Sequence, residues 1–162
     1  YLRTHNERNY VIWVLGLNSG LRVSDIVGLN VSDVVDKTHI TIIEKKTQKR
    51  KSFYINNKLK QVLENFTKGR DLDEPLFLGK QGKRLNRKEV YRFIVKTCEI
   101  LNIKSKASTH VMRKSFGYHH YQRFKDAIIL QKIFNHSSQR ITLIYIGITQ
   151  DEIDWSYKNF EL

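Results

Sequence analysis

One cysteine and one proline stand in a chain of 162 residues. A lone thiol cannot close an intramolecular bridge, which excludes a disulfide-stapled scaffold and predicts a reducing, cytoplasmic setting. Cys98 falls within a helical pattern, so a buried, unreactive thiol is expected there. Long apolar runs are missing too. Stretches such as Tyr10 to Leu17 fall far short of the roughly 20 residues that cross a bilayer, and no charged-then-apolar leader opens the chain. A start at Tyr1 rather than Met is what a fragment or processed product would show. Internal repeats and low-complexity tracts are absent, and a length of 162 residues with 40% hydrophobic content predicts one domain with its own core.

Acidic residues are the other shortage. Only 16 Asp and Glu oppose 29 Lys and Arg, for a net charge of +13 and a pI near 9.9. Such a surplus repels itself unless a polyanion takes it up, and neutralising phosphates releases counterions. RNA and an anionic membrane surface are rival partners. The aromatic signature of common single-strand RNA modules is not present, so double-stranded DNA is the favoured partner and no membrane is implied.

Periodicity predicts a mostly α (α+β) domain over residues 1–162. Tyr10, Val11, Val14 and Leu15 recur at helical spacing behind a capping box of Thr4 and Glu7, and Asn18, Ser19 and Gly20 end the pattern. Gly20 then allows a tight turn that delivers Arg22 to the start of a short helix. The β-rich runs 39–43 and 52–55 flank the turn EKKTQKRK, which predicts an antiparallel hairpin tipped by Lys45, Lys46, Lys49, Arg50 and Lys51. An amphipathic helix covers Asn56 to Lys68. Pro75 and three glycines mark 69–85 as a loop, with a short strand at 76–78. Lys80, Lys83, Arg84 and Arg87 in and beside that loop, with Lys49 on the hairpin, are candidate DNA-backbone contacts. Asn86 and Glu89 cap the next helix, and Ser108 or Thr109 caps one carrying His110 and Arg113. A further helix holds Ile128, Leu130 and Ile133, and Asn135 to Ser138 breaks the pattern before Ser137 or Ser138 restarts it. In the tail, a capping box of Thr149 and Glu152 opens a helix whose Ile153, Tyr157 and Phe160 need an apolar groove.

Within this frame a few residues can act on a phosphate. Arg22 sits where a helix dipole disfavours a cation, which points to an anionic partner; Asp25 either orients it or forms an ordinary surface pair with it. His110 and Arg113, three apart on a helix, share a face and can converge on one anion. His136 falls in the break between helices, where a capping or core role competes with a catalytic one. Tyr145 follows Leu143 and Ile144, as a buried aromatic would, yet a phenol can also attack phosphorus.

Taken in order, GLRVSDIVGL, the lysine-tipped hairpin, THVMRKSF and FNHSSQRITLIYIGIT resemble the catalytic domain of the tyrosine recombinase, or phage integrase, family over nearly the whole chain. The resemblance implies that Tyr145 attacks a DNA phosphate to give a 3′-phosphotyrosyl link, with Arg22 and Arg113 clamping the phosphate. His110 would assist proton transfer, His136 would donate to a non-bridging oxygen, and Lys46 would be the general acid, with Lys45 and Lys49 within reach of the same turn. No cofactor is implied, neither ATP nor metal, because the covalent link stores the phosphate. The family's amino-terminal core-binding domain is absent from these residues. Further expectations are a homo-oligomer (a synaptic tetramer) on DNA with the 149–162 helix packed on a neighbouring protomer, accessory DNA-bending proteins, and nucleoid association. The sequence departs from the family's usual pattern at Phe134 and Asn135, where Leu-Gly is commoner, and at Lys114, where His is. A type IB topoisomerase would use the same constellation, and a non-catalytic DNA-binding regulator would show it broken.

Overall fold

The computed structural model describes residues 1–104, 107–148 and 150–161, the side chains of 150–152 excepted. Helices α1 (Leu2–His5) and α2 (Glu7–Ser19) open the chain. Asn6, not Thr4, caps α2 by accepting from the Asn9 N–H, because α1 uses Thr4 in its own turn. Val11, Ile12, Val14 and Leu15 are buried, which makes α2 the central post against which α4 and α6 pack. The post ends at Gly20, whose left-handed φ of 61° turns the chain into α3 (Val23–Ile26).

Strands β1 (His39–Ile43) and β2 (Arg50–Tyr54) form the antiparallel hairpin, paired from His39 with Tyr54 to Ile43 with Arg50. The second strand starts two residues before the expected Ser52, and that shift puts Lys51 opposite Ile42. Helix α4 (Asn57–Thr67) is capped by Asn56 and buries Leu59 and Leu63. Residues 76–78 make no strand of their own among the described residues; isolated bridges join Asn30 to Pro75 and Leu78 to Arg84. Helix α5 (Arg87–Ile100) carries the expected Asn86 and Glu89 capping box.

The last helices are α6 (Val111–Phe124), α7 (Ala127–Phe134), α8 (Gln139–Ile146) and α9 (Gln150–Lys158). Neither Ser108 nor Thr109 is the cap of α6. His110 holds that position, and the Ser108 hydroxyl accepts from its N–H at 3.2 Å. Ser138 caps α8. The capping box assigned to Thr149 and Glu152 lies outside the described residues. One large apolar core joins α2 to α5 with the hairpin, and a small second core gathers Leu130, Phe134 and Ile146 with Phe116 and Tyr145 beneath α6. Among the described residues no helix is long and apolar enough to cross a membrane.

Candidate DNA-cleavage site

The seam between the two cores is where the candidate residues meet. Arg113 is the pivot. It is 3% exposed, donates to the Gly20 carbonyl and, at 2.8 Å, to the Phe134 carbonyl, and lies 4.3 Å over the Phe134 ring. It therefore ties the end of α2 to the end of α7. Burial first, then the Arg22 charge, pushes its pKa down to about 10, so it stays a cation at neutral pH. A guanidinium has five N–H donors, and two spent on carbonyls leave others for a ligand.

Arg22 comes from the turn before α3, as expected, but its partner is not Asp25. Glu44, 1% exposed at the end of β1, pairs with it at 2.8 Å and also accepts from the Thr47 hydroxyl at 2.7 Å. Asp25 accepts instead from the Lys45 backbone N–H at 3.0 Å and so fastens the hairpin turn to α3. Burial raises the Glu44 pKa, but the Thr47 hydroxyl, Arg22 and Lys51 together bring it below the ordinary carboxylate value. Lys51 belongs to this cluster as well, with burial the main cause of a pKa lowered to about 8.

Tyr145 projects from α8 into the same seam. Its ring packs edge-on against Phe134 and His136, with centroids 5.6 and 5.2 Å away, and the Lys114 ammonium lies 5.5 Å over its face. Its hydroxyl is 3.2 Å from Nδ1 of His110. Burial raises the phenol pKa, and Arg113 and Arg22 oppose that rise. The ring packs against the small core while the hydroxyl meets His110. His110 reaches it from the N-cap, not from a helical face shared with Arg113. Burial, then Arg87, Arg113, Lys114 and Arg22, lower the His110 pKa, so its ring is neutral at pH 7.

His136 follows Asn135, which ends α7 in the left-handed region at φ 53°. Asn tolerates that conformation where Gly would be usual, which explains the departure at this position. Burial and the two arginines lower the His136 pKa. Its Nδ1 lies 3.1 Å from the Thr142 hydroxyl, and the same hydroxyl donates to the Ser138 carbonyl at 3.2 Å. One hydroxyl hydrogen serves two acceptors. Turned to the ring, it selects the tautomer with Nε2–H, the donor that a phosphate oxygen needs.

A cleft of about 360 Å³ is lined by Arg22, Lys45, Lys46, Arg87, Thr109, His110 and Arg113 among others, so Tyr145 adjoins it through His110. Lys45 and Lys46 both line it, whereas Lys49 turns away to Asn135, its Nζ 3.5 Å from Oδ1. Lys80 and Lys83 are exposed on the loop before α5. Arg84 is not a free cation: its guanidinium donates to the carbonyls of Val27, Gly28 and Leu29 and to Asn30 Oδ1. It clips two loops together, which leaves it little to offer a phosphate. Glu44, Lys51 and Thr142 were not singled out from sequence. Only the alternation of the hairpin, once its second strand starts at Arg50, marks Lys51 as inward-facing.

Two guanidiniums and a neutral imidazole line one basic cleft, and a phenol meets that imidazole, an arrangement chemically suited to a phosphate anion. Comparison with known proteins gives the family. Residues 2–152 match the family model described as "Phage integrase family". The chain is 41% identical to the probable integrase/recombinase YoeC of Bacillus subtilis (strain 168) over 161 residues, covering 99% of this chain and 88% of that one. It is 28% identical to tyrosine recombinase XerC of Thermodesulfovibrio yellowstonii, with 88% of this chain matched to 50% of that protein, so it spans about half that relative's length. The crystal structure of XerA recombinase superposes with a TM-score of 0.79 at 21% identity, over 97% of this chain and 58% of that one, which shows the fold. The chain belongs to the phage integrase family, the tyrosine recombinases.

Proposed function

We propose that this protein is a site-specific DNA recombinase that cleaves and rejoins duplex DNA through a 3′-phosphotyrosyl intermediate on Tyr145, in the integration or excision of a mobile element. The observation that carries this reading is the Tyr145 hydroxyl 3.2 Å from His110 Nδ1, beside a cleft lined by Arg22 and Arg113, in a chain of this family. The scissile phosphate enters the cleft. The Tyr145 oxygen bonds to phosphorus while its proton passes to the neutral His110, and the bond to the 5′-oxygen breaks. Lys46 supplies the proton that the 5′-oxygen takes up. Charge grows on the phosphate oxygens as phosphorus becomes five-coordinate, and Arg22, Arg113 and Nε2–H of His136 stabilise it there. Attack by a second 5′-hydroxyl reverses the step and joins new strands. The exposed Ile153, Trp155, Tyr157 and Phe160 of α9 and the end after it suit packing on a neighbouring protomer in a DNA-bound oligomer.

The test is covalent capture on a nicked duplex whose cleaved fragment diffuses away. Wild type is expected to form a protein–DNA adduct stable in detergent, and Tyr145→Phe none; an adduct surviving in Tyr145→Phe would assign the nucleophile elsewhere. The pH dependence has a sign. Because the His110 pKa lies below its ordinary 6.5, adduct formation should hold level down through that pH and fall only in more acid solution, as the ring takes a proton and stops accepting from Tyr145. A fall already complete at neutral pH would contradict a neutral His110 acceptor.

A further inference from the structure

Lys51 is left over when the cleft and the motif residues have been assigned. It lies on β2 opposite Ile42, and its Nζ is sealed from solvent with no hydrogen-bond partner among the described residues. Four charged groups from different elements act on it: Arg113 on α6, Glu44 just after β1, Arg22 before α3 and Asp25 on α3. Asp25 Oδ2 in the same cluster is also buried and without a hydrogen-bond partner. Desolvating a lysine is costly, and Arg22 and Arg113 already match the two carboxylates of Asp25 and Glu44 in number.

Counting charge explains its presence. Arg22, Arg113 and Lys51 are three cations against the two carboxylates of Asp25 and Glu44, so the cluster carries one net positive charge. A phosphodiester brings one negative charge. With Lys51 the loaded cluster is balanced; without it, docking a phosphate leaves an uncompensated anion where the dielectric is low. Lys45, Lys46 and Arg87 on the cleft lining are exposed, solvated and screened, so they offset that deficit less than a buried charge does.

We propose that Lys51 is a positioning residue for the scissile phosphate, the buried counter-charge that keeps the Arg22–Glu44–Asp25–Arg113 cluster net positive, and not the proton donor to the leaving oxygen. This rests on the phosphodiester-cleaving role of the site. Its pKa of about 8 keeps it charged at neutral pH and lets it lose its proton in mildly alkaline solution.

The experiment measures single-turnover adduct formation at subsaturating nicked duplex across neutral and alkaline pH, with equilibrium binding of the same duplex in parallel. Wild-type capture should fall as pH rises through about 8. Lys51→Arg should move that fall upward by about one pH unit or more, because a guanidinium keeps its proton. Lys51→Met should lower capture by about tenfold or more and flatten the alkaline limb. Adding Glu44→Gln to Lys51→Met restores the net charge and should recover most of the loss. A purely structural role predicts no such suppression. The proposal is overturned if Glu44→Gln fails to suppress Lys51→Met, if Lys51→Arg leaves the alkaline limb in place, or if a 5′-bridging sulfur restores Lys51→Met as it should restore Lys46→Ala, which would make Lys51 the proton donor. Absence of adduct in wild type would count against the cleavage reading; the same ordering of variants in duplex binding would still uphold the Lys51 assignment, and its absence there would overturn it.

Discussion

Arg113→Lys should reduce covalent capture of DNA by about a thousandfold or more while the protein still folds. Removing one fixed donor aimed at a developing oxyanion costs about a hundred- to a thousandfold. Arg113 is more than one donor. Its guanidinium also holds the Gly20 and Phe134 carbonyls together, and so fixes the turn that carries Arg22 and the helix end that leads into His136. A lysine keeps the charge but offers a point in place of a fork, and cannot reach both carbonyls and a phosphate at once. The stability loss should be about 3 kcal/mol, from two charge-assisted hydrogen bonds and the contact with the Phe134 ring. For a chain of this size that lowers Tm by about 10 °C, so capture measured well below the transition separates chemistry from folding. Capture within tenfold of wild type at such a temperature would show that Arg113 is a brace for the seam and not part of the phosphate clamp.

Much of the framework was legible because it rests on local rules. Helical spacing located α2, α4 and α5, the Asn86 and Glu89 box marked the start of α5, and a break in periodicity marked the turn that holds His136. What could not be read depends on contacts far apart in the chain. Glu44 looks like the first polar residue of a solvated turn; it becomes a buried partner of Arg22 only when the hairpin folds over α3. Lys51 is hidden in a run of basic residues, because β propensity alone starts the strand at Ser52. Two more residues of strand pairing place it on the inward face. Arg84 sits among cations that suit a DNA surface, yet its partners are carbonyls more than fifty residues earlier, and no local signal marks that. The displaced start of α6 has the same origin. His110 is spent on Tyr145, thirty-five residues on, and takes the N-cap rather than a helical position.

Gly20→Ala should be a severely damaging small substitution in the framework, at about 3 kcal/mol, with catalysis lost beyond what stability explains. Two costs add. The residue ends α2 at φ 61°, where an L side chain is strained by about 1 kcal/mol. A Cβ built there would also stand 2.6 Å from Phe116 Cδ1 and 3.1 Å from Phe134 Cε1, so the small core must shift, at about 2 kcal/mol. Phe134 is the ring beneath Arg113 and beside Tyr145, and the Gly20 carbonyl is itself an acceptor for Arg113. Relieving a 2.6 Å contact takes a shift of up to about 1 Å, which moves both guanidiniums of the proposed clamp relative to the phenol, and a misplacement of about 1 Å can cost about a hundredfold in rate. The expected result is a Tm lower by about 10 °C and capture lower by about a hundredfold at a temperature where the variant remains folded. Gly69→Ala provides the control. That glycine is also left-handed, at φ 72°, but a Cβ there meets nothing within 4 Å and it follows the Lys68 cap of α4, so it should lose about 1 kcal/mol and keep its rate. If the two variants lose rate equally, the seam does not transmit the turn's geometry to the site.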